Sequence, residues 1–294
     1  MFDAREQRVE VYRDTMSKCR DIPLLKDAVK AAIAGTIVYP AGIEINISAQ
    51  PNKPGIISVT AERSFEAAMN LHGKYPDKKI AVHNFASATN PGGGVERGSS
   101  AQEEALCRCS TLHPCLKIER LWRDYYLYHR ERKDVRYTDT CIYSPGVYII
   151  KSDTDNPQLL PEKEWITVDV ITCAAPNLRE RPYNAMNPGS GDAIKVSDRE
   201  LLKIHKSRAT QIIKSAIANK ADCIVLGAFG CGAFCNDPAI VASAYKEVLK
   251  TYRDYFDEIV FAVYCSPKDN SNFDAFREAL CKFKKSNIGR NCNG

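Results

Sequence analysis

The sequence predicts a three-layer α/β protein with a mixed central sheet, preceded by a helical N-terminal segment. Three observations carry this prediction. Short runs rich in β-branched residues alternate with stretches of helical period, as a sheet covered by helices requires. One run, Cys223–Leu226, is apolar throughout, which suits a strand buried on both faces. Several other runs follow one another with no helix between them, so the order is not a clean βαβ repeat and the sheet cannot be purely parallel.

In chain order, residues 5–33 read as helical. Val9, Val11, Tyr12 and Met16 mark one apolar stripe; Leu24, Leu25, Ala28, Val29 and Ile33 mark another, ended by Gly35. Strands are expected at 36–39, 44–47 and 57–60, a helix at 64–75 and a short strand at 79–84. Ser100-Ala101-Gln102-Glu103 reads as a capping box that starts the next helix. A helix at 116–128 follows, then strands at 141–144, 147–150 and 164–174, the last dense in β-branched residues. Residues 197–219 form a long amphipathic helix. Beyond the strand at 223–226, Asp237 is a candidate N-cap with Pro238 at the first helical position of 238–252. A strand at 258–264 and a helix at 271–284 complete the pattern.

No repeat, low-complexity tract or interdomain linker appears, and 294 residues suit one domain, 1–294, with residues 1–35 as a helical extension packed on it. Charged residues at 26% and hydrophobic ones at 44% fit a soluble globular chain, and the net charge of +5 would assist an anionic ligand. No run approaches the ~18 apolar residues of a membrane span. The charged start, Met1-Phe2-Asp3-Ala4-Arg5-Glu6, lacks an apolar signal core, so a cytoplasmic location is expected. Twelve cysteines are many, yet several lie in apolar runs where cysteine behaves as a small hydrophobe. Cys107, Cys109, His113 and Cys115 have tight, irregular spacing unlike a zinc knuckle, and no metal or other cofactor is expected.

The most informative stretch is Asn90-Pro91-Gly92-Gly93-Gly94, seven residues, then Gln102-Glu103-Glu104. Three successive glycines suit a backbone of unusual dihedrals that must approach a ligand closely. Two acids follow in the first turn of a helix. This pattern resembles the bacterial-type poly(ADP-ribose) glycohydrolases, whose signature is a triple glycine followed after a short spacer by Gln-Glu-Glu. The likeness extends into Asn84-Phe85-Ala86-Ser87-Ala88 before it and Ala105-Leu106 after it. It implies a macrodomain-like core and a site that holds ADP-ribose. Glu104 would be proton donor and later base, Glu103 and Gln102 would orient the ribose and the loop, and Asn90, more than Asn84, would bind ribose hydroxyls.

A second glycine cluster follows the strand at 223–226: Gly227, Gly230, Cys231, Gly232, Ala233, Phe234, Cys235 and Asn236 lead into the capped helix. A strand, a glycine turn and a helix N-terminus form an anion-binding arrangement at the carboxyl edge of a sheet. It lacks the lysine of a phosphate-loop nucleotidase and the distant acid of a dinucleotide fold. It resembles the macrodomain loop around the ADP-ribose pyrophosphate, which gives Gly230, Cys231, Gly232, Ala233, Phe234 and Asn236 as substrate-binding residues beside Gly92, Gly93 and Gly94. Residues 175–177 are expected to face the site or to brace it, and 181–195 are long enough for a lid or a surface excursion. The aromatic and basic run 122–133 reads as a packed helix face with solvated charge.

Neighbouring residues on a helix diverge by about 100°, so Glu103 and Glu104 are not expected to flank one bond as paired glycosidase acids do. A helix N-terminus lowers a carboxyl pKa, and the expectation is that the substrate's pyrophosphate and exclusion of water raise that of Glu104 on binding. The implied activity is cleavage of the ribose–ribose bonds of poly(ADP-ribose) by a monomer, releasing ADP-ribose. Alternatives are a hydrolase for single ADP-ribose units on proteins and a non-catalytic reader. Both glutamates argue against the reader.

Overall fold

The computed structural model describes residues 3–183, 191–265 and 269–280. Seven strands form one mixed sheet: β1 Ile37–Tyr39, β2 Ile56–Thr60, β3 Ile80–Phe85, β4 Cys141–Ile149, β5 Ile166–Cys173, β6 Cys223–Leu226 and β7 Glu258–Ala262. Their order is β1-β4-β5-β3-β6-β7-β2. β1 and β4 are antiparallel to their neighbours, whereas β5, β3, β6, β7 and β2 run parallel.

Side chains alternate across the sheet with period two and so build two cores. Ala81, Ile171, Cys173, Ile224, Ile259 and Phe261 pack on one face under α8 (Asp198–Ala218), α9 (Pro238–Tyr252) and α10 (Ser271–Leu280). Ile80, Val82, Val168, Val170, Val225 and Val260 pack on the other. That face is covered by α3 (Ser64–Lys74), α4 (Gln102–Cys109), α5 (Leu112–Leu116) and the helical stretch α6 (Glu119–Leu121), a π-turn (Trp122–Leu127) and α7 (Tyr128–Arg132). The two helical layers and the sheet between them are the expected macrodomain-like arrangement.

The N-terminal segment is two helices, α1 (Ala4–Asp21) and α2 (Pro23–Gly35). Ile22 is extended, and Pro23 takes the first position of α2, where its missing N–H costs nothing. α1 is tied to the end of β4 by Lys151, a buried lysine whose ammonium donates to Val11 O and pairs with Asp14, both at 2.7 Å.

Four expectations are corrected. Residues 44–47 form no strand: β1 and β2 lie on opposite edges, about 29 Å apart at the usual ~4.8 Å strand spacing. The connecting chain crosses the α8 side, where Gln211 binds Pro40 O and Ile47 joins the core. The two strands expected at 141–150 are one, with a register shift between Ser144 and Val147 where the Gly146 N–H donates to Asp169 Oδ1 at 2.9 Å. The helix expected at 116–128 begins at Glu119 and continues to Arg132. α4 starts one residue later than a capping box would place it: Ala101 is the N-cap, without a side-chain bond, because Glu103 turns inward instead of back to the chain. Residues 281–284 of the expected last helix, and 184–190 of the loop 181–195, lie outside the described residues.

Candidate active site

β5, β3 and β6 are adjacent and parallel, so the segments after Cys173, Phe85 and Leu226 leave the sheet from one edge. This is where ligands collect in open α/β sheets. It brings together residues 86–101, 174–177 and 227–236.

The first segment folds over the start of α4. Gly92 and Gly93 have φ of +70° and +59°. Gly93 is bound to be glycine for a reason the sequence did not give. A Cβ there would lie 3.0 Å from Glu104 Cδ and 3.1 Å from Glu103 Oε2, so the space is filled by the two carboxyl groups and not kept for ligand. This also corrects the expected divergence of the acids. Their backbones start about 100° apart on the helix, but their side chains close on Gly93 from two sides.

Glu103 is 3% exposed and Glu104 8%. Glu103 Oε2 accepts from Ser87 N–H at 2.7 Å and Oε1 from Asn84 Nδ2 at 3.3 Å, while the Gly92 N–H also points at this carboxyl. Glu104 Oε1 accepts from Gly94 N–H at 2.8 Å, and its Oε2 is buried with no hydrogen-bond partner among the described residues. Burial pushes Glu103 well above the usual carboxylate range, the charge of Glu104 adds to it, and the three donors pull it back. Burial likewise raises Glu104, against the pull of Gly94 N–H and the helix start. Burial of the helix start thus raises the Glu104 pKa by itself, apart from any contribution of substrate. The charge of Glu104 in turn opposes ionisation of Glu103.

Gln102 faces the protein. Its Nε2 donates to Ser64 Oγ at 2.9 Å and His83 O at 2.8 Å, and its Oε1 accepts from Phe85 N–H at 2.8 Å. Through these three bonds it latches α4 to α3 and β3. Asn90, half-buried, donates to Gly93 O and so pins the loop. Asn84 is fully buried and bridges Glu103 and Thr172 Oγ1, with its Oδ1 unpartnered.

The second segment supplies donors. Phe229, Cys231, Cys235 and Asn236 N–H groups bond within the loop, whereas those of Gly230, Gly232, Ala233 and Phe234 have no partner among the described residues. A Cβ on Gly232 would meet no atom, so the backbone there borders open space. At Gly230, φ is +78° and a Cβ would meet Ala175 at 2.5 Å. Asn236, expected to bind substrate, braces the loop. Its Nδ2 donates to Pro176 O at 2.7 Å and to Gly230 O and Phe234 O at 3.1 Å, and its Oδ1 lies 2.8 Å from His205 Nε2. Asp237 caps α9 as expected, accepting from Ala239 and Ile240 N–H, so the loop and not the helix end offers the free donors. Phe234 is half-buried, with the Arg179 guanidinium 5.4 Å from its ring.

Sequence reasoning missed His205 and Arg208. Arg208, on α8, is buried and donates to Ala174 O at 2.6 Å and to Arg136 O, which fixes the chain leaving β5. A buried arginine or histidine in an otherwise amphipathic helix is the one signal that could have marked them. Cys109 and Cys115 donate to Ser152 O and Thr111 O, His113 faces Tyr12, and no group of three or more potential ligands occurs among the described residues. No helix among those residues is long and apolar enough to cross a membrane.

A family model described as the catalytic domain of microbial-type PARG matches residues 8–152, from α1 through β4 and the triple glycine, but short of the second loop. Among solved structures, the chain is similar to poly(ADP-ribose) glycohydrolase from Thermomonospora curvata, with 30% identity and a TM-score of 0.76 over 94% of this chain and 100% of that one. The same enzyme bound to the inhibitor ADP-HPD matches at 30% identity and a TM-score of 0.75, over 93% of this chain and 99% of that one. The glycohydrolase from Deinococcus radiodurans in complex with ADP-ribose matches at 32% identity and a TM-score of 0.70, over 87% and 97%. No match was found among curated proteins.

Proposed function

The chain belongs to the microbial-type poly(ADP-ribose) glycohydrolase family, and from that premise we propose that it hydrolyses the ribose–ribose O-glycosidic bonds of poly(ADP-ribose) and releases ADP-ribose. It would act in the cytoplasm as a monomer, with 1–294 as one catalytic domain and no metal or cofactor. The observation that carries the reading is the pair of buried carboxyls meeting at Gly93, one with a free buried oxygen.

The backbone donors of Gly230, Gly232, Ala233 and Phe234 receive the pyrophosphate. The Gly92–Gly94 turn and Asn90 lie against the distal ribose. Glu103, held by Ser87 N–H and Asn84 Nδ2, orients the distal ribose and the loop. Glu104, its pKa raised by burial, holds a proton on its unpartnered Oε2 and gives it to the departing ribose oxygen as the glycosidic bond breaks. Its carboxylate then takes a proton from water, the water oxygen bonds to the anomeric carbon, and Glu104 is again protonated.

Incubating the protein with labelled poly(ADP-ribose) and with proteins carrying single ADP-ribose units tests this reading. Release of ADP-ribose from the polymer is expected. Release from the single-unit acceptors alone would make the protein a mono-ADP-ribosyl hydrolase, and binding without release a reader.

A further inference from the structure

The aromatic and basic run 122–133 is packed on one side only. Tyr125 and Tyr126 are buried, as a packed helix face requires, but Trp122 stays 36% exposed. Its ring stacks on that of Tyr126, with centroids 6.3 Å apart and 28° between the planes. Arg130 is four residues beyond Tyr126 and so on the same side of the helical stretch. Its guanidinium lies 4.6 Å from the Trp122 ring centroid. Arg130 Nε donates to Thr89 O at 2.7 Å, and its other N–H groups meet no acceptor among the described residues.

That bond places the pair beside the acids. Thr89 lies between Ser87, whose N–H holds Glu103, and Asn90, which pins Gly93 O. Along the carboxyl edge of the sheet, the second loop follows β6 and the glycine loop follows β3, with β5 beyond. The chain leaving α7 passes the end of β5, where Val135 O accepts from Asn177 N–H at 2.8 Å. The free donors of the second loop thus flank the acids on the β6 side, and the segment carrying Arg130 flanks them on the β5 side.

Charge favours an anion at this second flank. Asp124 is paired with Arg123 at 2.9 Å and Asp134 with Arg136 at 3.0 Å, whereas Arg130 has no carboxylate partner among the described residues. A guanidinium stacked on an indole keeps its N–H edge for phosphate, and the pair offers a plane on which a base can stack. The bond that breaks joins two units of the polymer. With the pyrophosphate of the terminal unit on the second loop, the departing ribose belongs to the next unit, whose adenine and phosphates extend past the acids. We propose that Trp122 and Arg130 form a second nucleotide site, which binds the adenine and a phosphate of the unit carrying the departing ribose oxygen. The inference rests on the function proposed above and deepens it: a single ADP-ribose on a protein has no such unit, so this site selects for polymer.

The test is binding of ADP-ribose and of poly(ADP-ribose) oligomers of defined length to the full chain carrying Glu104→Gln, which prevents cleavage. This parent should bind the oligomers more tightly than ADP-ribose. Trp122→Ala added to it should weaken oligomer binding about fivefold or more, the lower range for one stacked base, and leave ADP-ribose affinity where it was. Arg130→Gln, which can still donate to Thr89 O, should show the same selective loss. Fluorescence gives a second reading with the ring in place. Trp165, the other tryptophan, precedes β5 and so lies at the opposite edge of the sheet. In a Trp165→Phe protein, oligomers should quench Trp122 and ADP-ribose should not. An equal loss for both ligands in Trp122→Ala, or Trp122 emission that no oligomer alters, would overturn the site. Oligoadenylate competing as well as the oligomers would also overturn it, making this a nucleic-acid surface. Selective oligomer binding through Trp122, in a protein whose wild type never cleaves the polymer, would keep the site and defeat the functional reading.

Discussion

At Gly93 the backbone has φ of +59° and passes within contact of the Glu103 and Glu104 carboxyls. Alanine there meets two costs together, a left-handed backbone and a methyl group in occupied space. Gly93→Ala should therefore displace Glu103 and Glu104 and reduce kcat about 100-fold or more, on the scale of losing general acid–base catalysis. Affinity for ADP-ribose should fall less, since the second loop is untouched. Steady-state kinetics and calorimetry check this; unchanged kcat would mean that the two carboxyls need no fixed backbone beneath them. The triple glycine and both acids were legible in the sequence because spacing alone identifies them. Their convergence was not. Helical geometry sets where two side chains begin, and only the fold of the glycine loop decides where they end.

At the scale of elements, the second loop was legible as strand, glycine turn and capped helix, and Asp237 and Pro238 occupy their expected positions. What could not be read was the division of labour inside it. Asn236 had the right place and chemistry for a ligand, yet its amide is consumed by Pro176, Gly230, Phe234 and His205, the last more than two helical turns into α8. Such a brace depends on tertiary packing that no local pattern encodes. Asn236→Ala should leave a buried imidazole and three carbonyls short of a partner, at a cost of roughly 1–3 kcal/mol. It should weaken ADP-ribose binding by loosening the loop while the Glu103 and Glu104 titrations stay in place. Thermal unfolding and calorimetry read both effects; full affinity in a destabilised variant would make Asn236 a purely structural residue. The false strand at 44–47 has the same origin: alternation alone marks a candidate strand, but a strand also needs an edge to join, and this segment is spent on crossing from β1 to β2.

For the whole molecule, the buried ionisable groups set an opposed pH dependence. His83 is held at a pKa of about 3 and His113, His129 and His205 at about 4, chiefly by burial. Below the unfolded value near 6.5 the unfolded chain binds protons that the folded one refuses, so these residues stabilise the fold above that pH. That stability is lost as pH falls from about 6.5 toward 4. The glutamate pair acts the other way. Its folded pKa values lie above the unfolded range near 4.3, so it costs stability as pH rises past that value. Denaturation midpoints should therefore drop steeply below about pH 6. Glu104→Gln should be more stable than wild type near neutral pH, by about 1 kcal/mol on the scale of single stabilising changes, and the gain should vanish near pH 4. A Glu104→Gln protein less stable at neutral pH would contradict the burial argument for this carboxyl.

The same substitution tests whether one buried acid at the glycine loop supplies the proton for glycosidic cleavage. The measurement is single-turnover release of ADP-ribose from labelled poly(ADP-ribose) by wild type and Glu104→Gln, with ADP-ribose affinity measured on both. Glutamine preserves size and the bond from Gly94 N–H but holds no transferable proton. The account predicts a loss of about 10²–10⁴-fold in the rate of release at nearly unchanged affinity. A Glu104→Gln protein that releases ADP-ribose at close to the wild-type rate would contradict it.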